Sequence, residues 1–176
     1  WVFMMSPAPY MQYFVGEFDG TKFINESAPD KIYRPDYGPD YYAAIVYNNL
    51  PPGTAPVSIA WVNNWKYAGD IPAGDWRGAM SLPRSLSLKR AGTEWILLQN
   101  PVGELVSLKN KDVQFMADQD IVLDDQSFML EWQWKTDADG VQEMQLGESE
   151  LVIRYDAKQK EISLDRSRSA GFDNAE

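Results

Sequence analysis

The feature that most constrains this chain is the regular alternation of short apolar runs with turn signals. Runs rich in aromatic and β-branched residues are separated by glycine- or proline-containing stretches about every 8–12 residues. The strands predicted in the first hundred residues are Trp1–Met5, Tyr10–Phe18, Thr21–Ile24, Tyr41–Tyr47, Val57–Val62, Ser85–Lys89 and Glu94–Leu98. Asp19-Gly20 and Ala91-Gly92 are predicted hairpin turns. This pattern is typical of an all-β propeller, barrel or sandwich.

The last third of the chain continues the pattern after a linker. Pro101–Lys111 has apolar residues at helical spacing and predicts one helical turn within a connecting segment. Phe128 to Trp134 predicts a strand with Phe128, Leu130, Trp132 and Trp134 on one face. Three more strands are predicted at Val141–Leu146, Glu150–Tyr155 and Glu161–Asp165. These runs indicate an antiparallel sheet with one solvated face, as in a β-sandwich.

Composition changes near residue 100. Residues 1–100 hold 17 of the 23 aromatic residues and carry 9 acidic and 8 basic side chains, a net charge of −1. Residues 101–176 carry 17 acidic and 8 basic side chains, a net charge of −9. We interpret this shift as a domain boundary.

Charge and residue usage exclude several classes of function. A net charge of −10 argues against nucleic acid and against an anionic membrane surface as partners, and a neutral polar ligand fits better. The chain has no cysteine and no histidine, so we predict no metal site, no cofactor and no Ser-His-Asp triad. Any acid–base chemistry would need carboxylates, Tyr or Lys. No apolar run is long enough to span a bilayer.

The chain begins Trp-Val-Phe-Met-Met, which predicts a buried strand. We therefore expect this sequence to be cut from a larger protein. A sheet cut in this way would leave an open edge and an uncovered apolar face on the Trp1–Met5 side.

Two neighbouring stretches, Asp36–Ala43 and Ala60–Tyr67, are the candidate site. In the first, Asp36 and Asp40 flank Gly38-Pro39, and tyrosines 37, 41 and 42 lie close by. A sugar ring offers C–H groups to an aromatic face and hydroxyls to fixed polar partners, so this mixture suits a sugar-binding surface. The alternatives are ordinary turn chemistry for the aspartates and core packing for the tyrosines.

The second stretch places Trp61 and Trp65 on either side of Asn63-Asn64 at the end of a predicted strand. Strand alternation puts Trp61 and Asn63 on one side, so we expect one tryptophan to line a cleft and the other to pack behind it.

Charged residues elsewhere are less specific. Arg77 or Arg84 could hold a carboxylate, with a structural ion pair as the favoured interpretation. Glu17, Glu26 and Asp30 are candidate carboxylates by type only, and Asp19 is predicted to be a turn residue.

Four segments resemble glycoside hydrolase family 32, most closely its bacterial exo-acting levanases, inulinases and fructan β-fructosidases. They are Gln12–Gly20, Asp36–Ala43, Trp61–Tyr67 and Trp76–Arg84, and their order and spacing agree with the family. The likeness covers about residues 1–110. Leu98–Leu105 is similar to the family's interdomain linker, and Leu164–Ser169 to a motif of its C-terminal sandwich.

The resemblance implies part of a five-bladed β-propeller followed by part of a β-sandwich. The corresponding domains are 1–100 as the last propeller blades, 101–113 as the linker and 114–176 as the start of the sandwich. The implied reaction is retaining hydrolysis of a terminal β-fructofuranoside. The implied location is periplasmic, cell-surface or secreted, in a bacterium.

The family's Asn-Asp-Pro-Asn, Arg-Asp-Pro and Glu-Cys-Pro motifs, which carry its catalytic carboxylates, do not occur in this chain. We therefore assign no catalytic residue, expect these groups upstream of Trp1, and expect the segment alone to be inactive. The resemblance implies a pocket wall that contacts a fructan or sucrose-like sugar through Asp36, Tyr37, Asp40, Tyr42, Trp61, Asn63, Asn64 and Trp65. The alternatives are a non-catalytic carbohydrate-binding β module and a structural interaction domain.

Overall fold

The computed structural model describes residues 1–116, 119–123, 127–133, 140–147 and 150–169, and their regular structure is almost entirely β. The strands are β1 (Val2–Met5), β2 (Gln12–Phe18), β3 (Phe23–Asn25), β4 (Tyr42–Val46), β5 (Val57–Val62), β6 (Ala79–Met80), β7 (Arg84–Ala91), β8 (Glu94–Pro101), β9 (Val141–Leu146), β10 (Leu151–Asp156) and β11 (Glu161–Asp165). A 3₁₀ helix spans Gly103–Leu108. The fold class is therefore all-β, as predicted.

The chain divides into two compact units, Trp1–Asn110 and Lys111–Glu176. The assignment of these parts to propeller blades, linker and sandwich stays a prediction. The predicted helical turn of the linker is present as the six-residue 3₁₀ helix.

The first sheet is antiparallel with the order β1-β2-β3. Its β2–β3 hairpin pairs Phe18 with Phe23, so the predicted turn at Asp19-Gly20 is confirmed. One Asp19 carboxylate oxygen accepts the backbone N–H groups of Thr21 and Lys22 at 2.8 and 2.7 Å. Asp19 is thus a turn residue, as the sequence indicates.

The prediction that Trp1–Met5 is buried is wrong. β1 is an edge strand with one face toward the core, so its side chains alternate. Val2 and Met4 pack against the core, whereas Trp1 and Phe3 are 72% and 51% exposed. Because a two-faced sheet buries every second residue, an apolar run of this kind at an edge does not guarantee burial.

The second sheet has the order β4-β5-β7-β8, with the short β6 also paired to β5. The predicted hairpin is present, since β7 and β8 pair along their whole length around a two-residue loop. Gly92 opens this loop with φ +63°, the position at which a type II′ turn favours glycine.

The core of the first unit lies where these two sheets meet. One cluster joins Tyr13 and Val15 of β2 to Leu86 and Leu97 of the β7–β8 hairpin. The Tyr13 hydroxyl accepts the Leu97 backbone N–H at 3.3 Å, and burial raises the pKa of this hydroxyl. A second cluster of Met11, Tyr41 and Ala60 lies directly beneath the candidate site.

The second unit contains an antiparallel sheet with the order β11-β10-β9, and its three strands fall where they are predicted. The predicted strand at Phe128–Trp134 is wrong over its described part, because residues 128–133 form no strand. Trp134, the last residue of this predicted strand, lies outside the described residues. Alternation marks a possible face, but a strand also needs a hydrogen-bonding partner along its edge.

Candidate functional site

Turn chemistry and an ion pair fix the loop that leads into β4. One Asp36 carboxylate oxygen accepts the Gly38 backbone N–H at 2.8 Å, which is an Asx turn. The other oxygen accepts Nη1 of Arg84 at 2.8 Å. The carboxylate and guanidinium side chains are only 25% and 27% exposed. Asp36 is therefore held at both oxygens, although each oxygen keeps a free lone pair.

Arg84 is the centre of a small network at the start of β7. Its guanidinium carbon lies 4.3 Å from the centroid of the Tyr41 ring. Its Nη1 also approaches Oε1 of Gln99 at 3.5 Å, and the Gln99 amide nitrogen donates to the Pro35 carbonyl. Of the two arginines considered from the sequence, Arg84 makes the structural ion pair, while Arg77 donates to the Gly69 carbonyl.

Two contacts join the loop before β4 to the loop after β5. The Asn64 amide nitrogen donates to the Pro39 carbonyl oxygen at 2.8 Å. The Tyr67 hydroxyl donates to the Asp40 carboxylate. The two sequence stretches that defined the candidate site are thus brought together in space.

Asn63 and Asn64 are buried, with 2% and 3% exposure. The Asn63 side-chain oxygen accepts the Asn64 backbone N–H at 2.8 Å, and the Asn64 side-chain oxygen accepts the Lys66 N–H at 3.0 Å. Both side-chain amides therefore stabilise the turn that follows β5. Their direct contact with a sugar stays a prediction, and the burial of both side chains does not favour it.

The aromatic side chains supply the exposed part of the site. The rings of Trp61 and Trp65 lie 5.0 Å apart at an interplanar angle of 59°. Trp65 is 68% exposed and Trp61 is partly buried, so one ring packs behind the other as the spacing predicts, while the lining of a cleft stays a prediction. Tyr42 lies opposite Trp61 across β4–β5, and its hydroxyl donates to the Ser6 carbonyl at 2.7 Å. Tyr37 is 87% exposed.

Three residues outside the predicted site set also hold it together. Tyr67, 7% exposed, contacts Asp40, and Gly78 lies against Trp61. Ser81 bonds β6 to β5 through Ala60. The signal in the sequence was their position in two segments that carry the family resemblance, Trp61–Tyr67 for Tyr67 and Trp76–Arg84 for Gly78 and Ser81.

The two carboxylates of the candidate site are already engaged. Asp36 and Asp40 are bonded to Arg84 and Tyr67, respectively. Among the described residues, no group of three or more acidic side chains is placed to hold a metal ion. In the same part of the chain, no helix is long and apolar enough to cross a bilayer.

Known proteins are similar to this chain in sequence and in fold. The family model for the glycosyl hydrolases family 32 N-terminal domain matches residues 1–101. A levanase of Bacillus subtilis is 36% identical over 174 residues, which is 90% of this chain and 26% of the levanase. An extracellular exo-inulinase of Aspergillus awamori is 44% identical over 107 residues, 57% of this chain and 19% of that protein. The chain thus spans about a quarter or less of these relatives.

Two solved structures show the fold. The exo-inulinase from Aspergillus awamori matches 99% of this chain and 38% of its own with a TM-score of 0.68 at 24% identity. The fructofuranosidase from Schwanniomyces occidentalis in complex with fructose matches 97% and 41% with a TM-score of 0.60 at 24% identity. These enzymes contain a β-propeller. Since the family model covers more than half of the chain and the fold agrees, this chain belongs to glycosyl hydrolase family 32.

Proposed function

We propose that this chain forms part of the sugar-binding wall of a retaining glycosidase that releases fructose from β-fructans or sucrose. The observation that carries the proposal is the Trp61–Trp65 pair at the end of β5, with Trp65 exposed and the loop behind it pinned to Asp40 and Pro39. A rigid aromatic face suits the C–H groups of a sugar ring. The names of the levanase and exo-inulinase relatives point to fructans as the substrate class.

In this proposal the catalytic carboxylates come from another part of the parent protein, upstream of Trp1. Retaining hydrolysis needs two carboxyl groups about 5–5.5 Å apart across the scissile bond, one as nucleophile and one as acid/base. The two carboxylates of this site are each held by a structural partner, which suits neither role. The segment alone is therefore expected to bind without hydrolysing.

The outer face of the first sheet supports the need for a further part of the same protein. Phe3 stacks on Phe14 with ring centroids 6.3 Å apart and meets Phe23 at 5.7 Å. Trp1 and Phe18, 72% and 42% exposed, extend this aromatic face. In a propeller such a face packs on a neighbouring blade. We therefore propose that upstream sequence of the same protein packs on this face.

The remaining assignments follow from the same proposal. Residues 1–100 are the last propeller blades, 101–113 the linker and 114–176 the beginning of the sandwich. Because the relatives include extracellular exo-inulinases, we place the parent protein outside the cytoplasm, secreted, periplasmic or at the cell surface.

The test is fructose release from levan, inulin and sucrose by the 176-residue chain, alone and joined to its upstream sequence. We expect no release by the chain alone and turnover by the joined form. Turnover by the chain alone would show that its own residues supply the chemistry and would refute the assignment of the carboxylates.

Binding is tested separately, because the exposed Trp65 face also suits a non-catalytic carbohydrate-binding module. Calorimetry with levan, inulin and dextran is carried out on the wild type, Trp65→Ala and Trp1→Ala. Trp1 is the matched control, since its exposure of 72% is close to the 68% of Trp65 but it lies on the other sheet. Loss of fructan binding in Trp65→Ala, with binding kept in Trp1→Ala, supports the proposed sugar-binding wall. Strong binding by the chain together with an inactive joined form favours the binding module.

A further inference from the structure

Gly78 occupies a position where the chain cannot accommodate a side chain. Its φ is +80°, and a Cβ atom there would lie 2.6 Å from Nε1 of Trp61 and 3.3 Å from Nδ2 of Asn63. Real Cβ atoms essentially never approach another heavy atom within 3.0 Å. The N–H edge of the Trp61 indole therefore rests directly on the backbone of Gly78.

We propose that Gly78 is a positioning residue for the sugar-binding wall. By lacking a side chain, it leaves the space that the Trp61 ring occupies, and so it sets the geometry of the Trp61–Trp65 pair. The effect of Gly78 on sugar binding rests on the proposed function. The effect of Gly78 on the position of the Trp61 ring rests only on the contacts in the structure.

Hydrogen bonds hold the backbone on the C-terminal side of Gly78 in place. One residue later β6 begins, and it pairs with β5 at Val62↔Ala79 and Trp61↔Met80. Ser81 donates its N–H to the Ala60 carbonyl at 2.8 Å, and its hydroxyl accepts the Ala60 N–H at 3.0 Å. Ordinary van der Waals contact begins at 3.4 Å, so the side that must move is the Trp61 ring, by about 0.8 Å (3.4 − 2.6).

A movement of Trp61 reaches the exposed surface through Trp65. The two rings are in contact at 5.0 Å, and Trp65 presents its other face to solvent. On the neighbouring strand, Tyr42 lies opposite Trp61 and is tied to the Ser6 carbonyl. The Trp61 ring is therefore confined on the Gly78 side and the Tyr42 side, and a shift changes its angle to Trp65.

The chain offers a matched control for backbone strain. Gly53 has φ +82°, nearly the value of Gly78, but a Cβ there would meet nothing within 4 Å. Gly53→Ala therefore reports only the strain of alanine in the left-handed region. Gly78→Ala reports the same strain plus the contact with Trp61.

The first measurement is the far-ultraviolet circular dichroism couplet that two tilted, contacting indoles produce. Trp61→Leu identifies the couplet, which must vanish in that variant. We expect Gly78→Ala to reduce its amplitude and Gly53→Ala to keep it, because the couplet depends on the distance and angle between the two rings. An unchanged couplet in Gly78→Ala overturns the proposal.

The second measurement is rescue, which keeps the test decisive even if Gly78→Ala folds poorly. Leucine at position 61 has no atom at the place of the indole nitrogen, so it removes the clash. We expect Gly78→Ala to lower the urea midpoint more than Gly53→Ala in the wild type, and this excess to shrink in the Trp61→Leu background, where only the 3.3 Å approach to Asn63 remains. An equal excess in both backgrounds overturns the proposal.

Fructan affinity then separates this inference from the proposed function. We expect Gly78→Ala to weaken fructan binding about threefold to tenfold relative to Gly53→Ala. If Gly78→Ala loses the couplet but binds fructan with undiminished affinity, the proposed sugar-binding role of the tryptophan pair is overturned. The geometric role of Gly78 is then still supported. A retained couplet overturns the role of Gly78 and leaves the wall untouched.

Discussion

Replacing Arg84 with methionine tests whether the loop that carries Asp36 is held by an ion pair. The change keeps an apolar stem but removes the donor that lies 2.8 Å from the Asp36 carboxylate and the cation 4.3 Å above the Tyr41 ring. A hydrogen bond to a charged group contributes about 1.5–3 kcal/mol, and a cation–π contact about 0.5–1 kcal/mol. Since both side chains are about a quarter exposed, screening by solvent lowers the contribution of these two interactions to stability. We expect a loss of about 2–3 kcal/mol in the free energy of unfolding.

The assay is urea unfolding followed by tryptophan fluorescence, because five of the seven tryptophans lie in residues 1–110. Asp36→Asn and the double variant complete a thermodynamic cycle. Asparagine can still accept the Gly38 N–H, so the turn at Asp36 is kept while the charge that pairs with Arg84 is removed. We expect a coupling energy of about 1–2 kcal/mol between the two side chains.

Arg77→Met is the control, because Arg77 is exposed and donates to a backbone carbonyl, that of Gly69. We expect it to lower stability by less than about 1 kcal/mol. If Arg84→Met costs no more than this control and the coupling is near zero, the structural explanation fails. Asp36 would then be free for the hydroxyl recognition that the sequence also allows.

Three further outcomes follow from single contacts. Gly16→Ala places a Cβ 2.0 Å from the Ile24 carbonyl oxygen, so we expect the β2–β3 hairpin to separate, seen as lost amide-exchange protection and destabilisation of more than about 3 kcal/mol. Ser81→Ala leaves the buried Ala60 N–H without its acceptor, and urea unfolding should show a loss of about 1–3 kcal/mol. Backbone N–H groups bonded to Asp19 lower its pKa below the ordinary 3.8, so its stabilising contribution is present above 3.8 and is lost as the pH falls through the lowered value. A carboxyl-carbon NMR titration of Asp19 that gave a midpoint at or above 3.8 would contradict this.

Strand positions in this chain follow from turn chemistry to a large degree. β5, β9 and β11 have the predicted bounds, because glycine, proline or aspartate marks the adjoining turns. Asp19 and Gly92 show the cause. The Asp19 carboxylate accepts two backbone N–H groups of its own turn, and Gly92 adopts a positive φ. Such effects are local, so the sequence reports them directly.

Features that depend on a distant partner were not predictable in the same way. β6 has two residues, Ala79 and Met80, and exists because β5 offers its edge. Phe128 to Gln133 has better strand alternation than β6, yet no strand forms over these residues. Periodicity therefore identifies faces, while pairing depends on what the rest of the chain places alongside.

The candidate site shows the same limit at the level of side chains. Its two stretches were predicted to lie together, and Asn64 and Tyr67 join them. An asparagine has the same appearance in a sequence whether its amide binds a sugar or a backbone carbonyl. In the structure Asn63 accepts the Asn64 N–H and the Asn64 amide donates to the Pro39 carbonyl, and sequence patterns carry no record of these contacts.

Five of the eight predicted binding residues fall into two groups with different consequences. Asn63, Asn64 and Asp36 are occupied with holding loops, whereas Trp65 and Tyr37 present large exposed rings. Aromatic faces recognise the C–H surface of a sugar and discriminate weakly among hydroxyl arrangements, because hydroxyl recognition needs directional polar partners. A wall built in this way supplies contact area and rigidity. Under the proposed function, we therefore expect the choice among levan, inulin and sucrose to come from polar groups other than these aromatic rings.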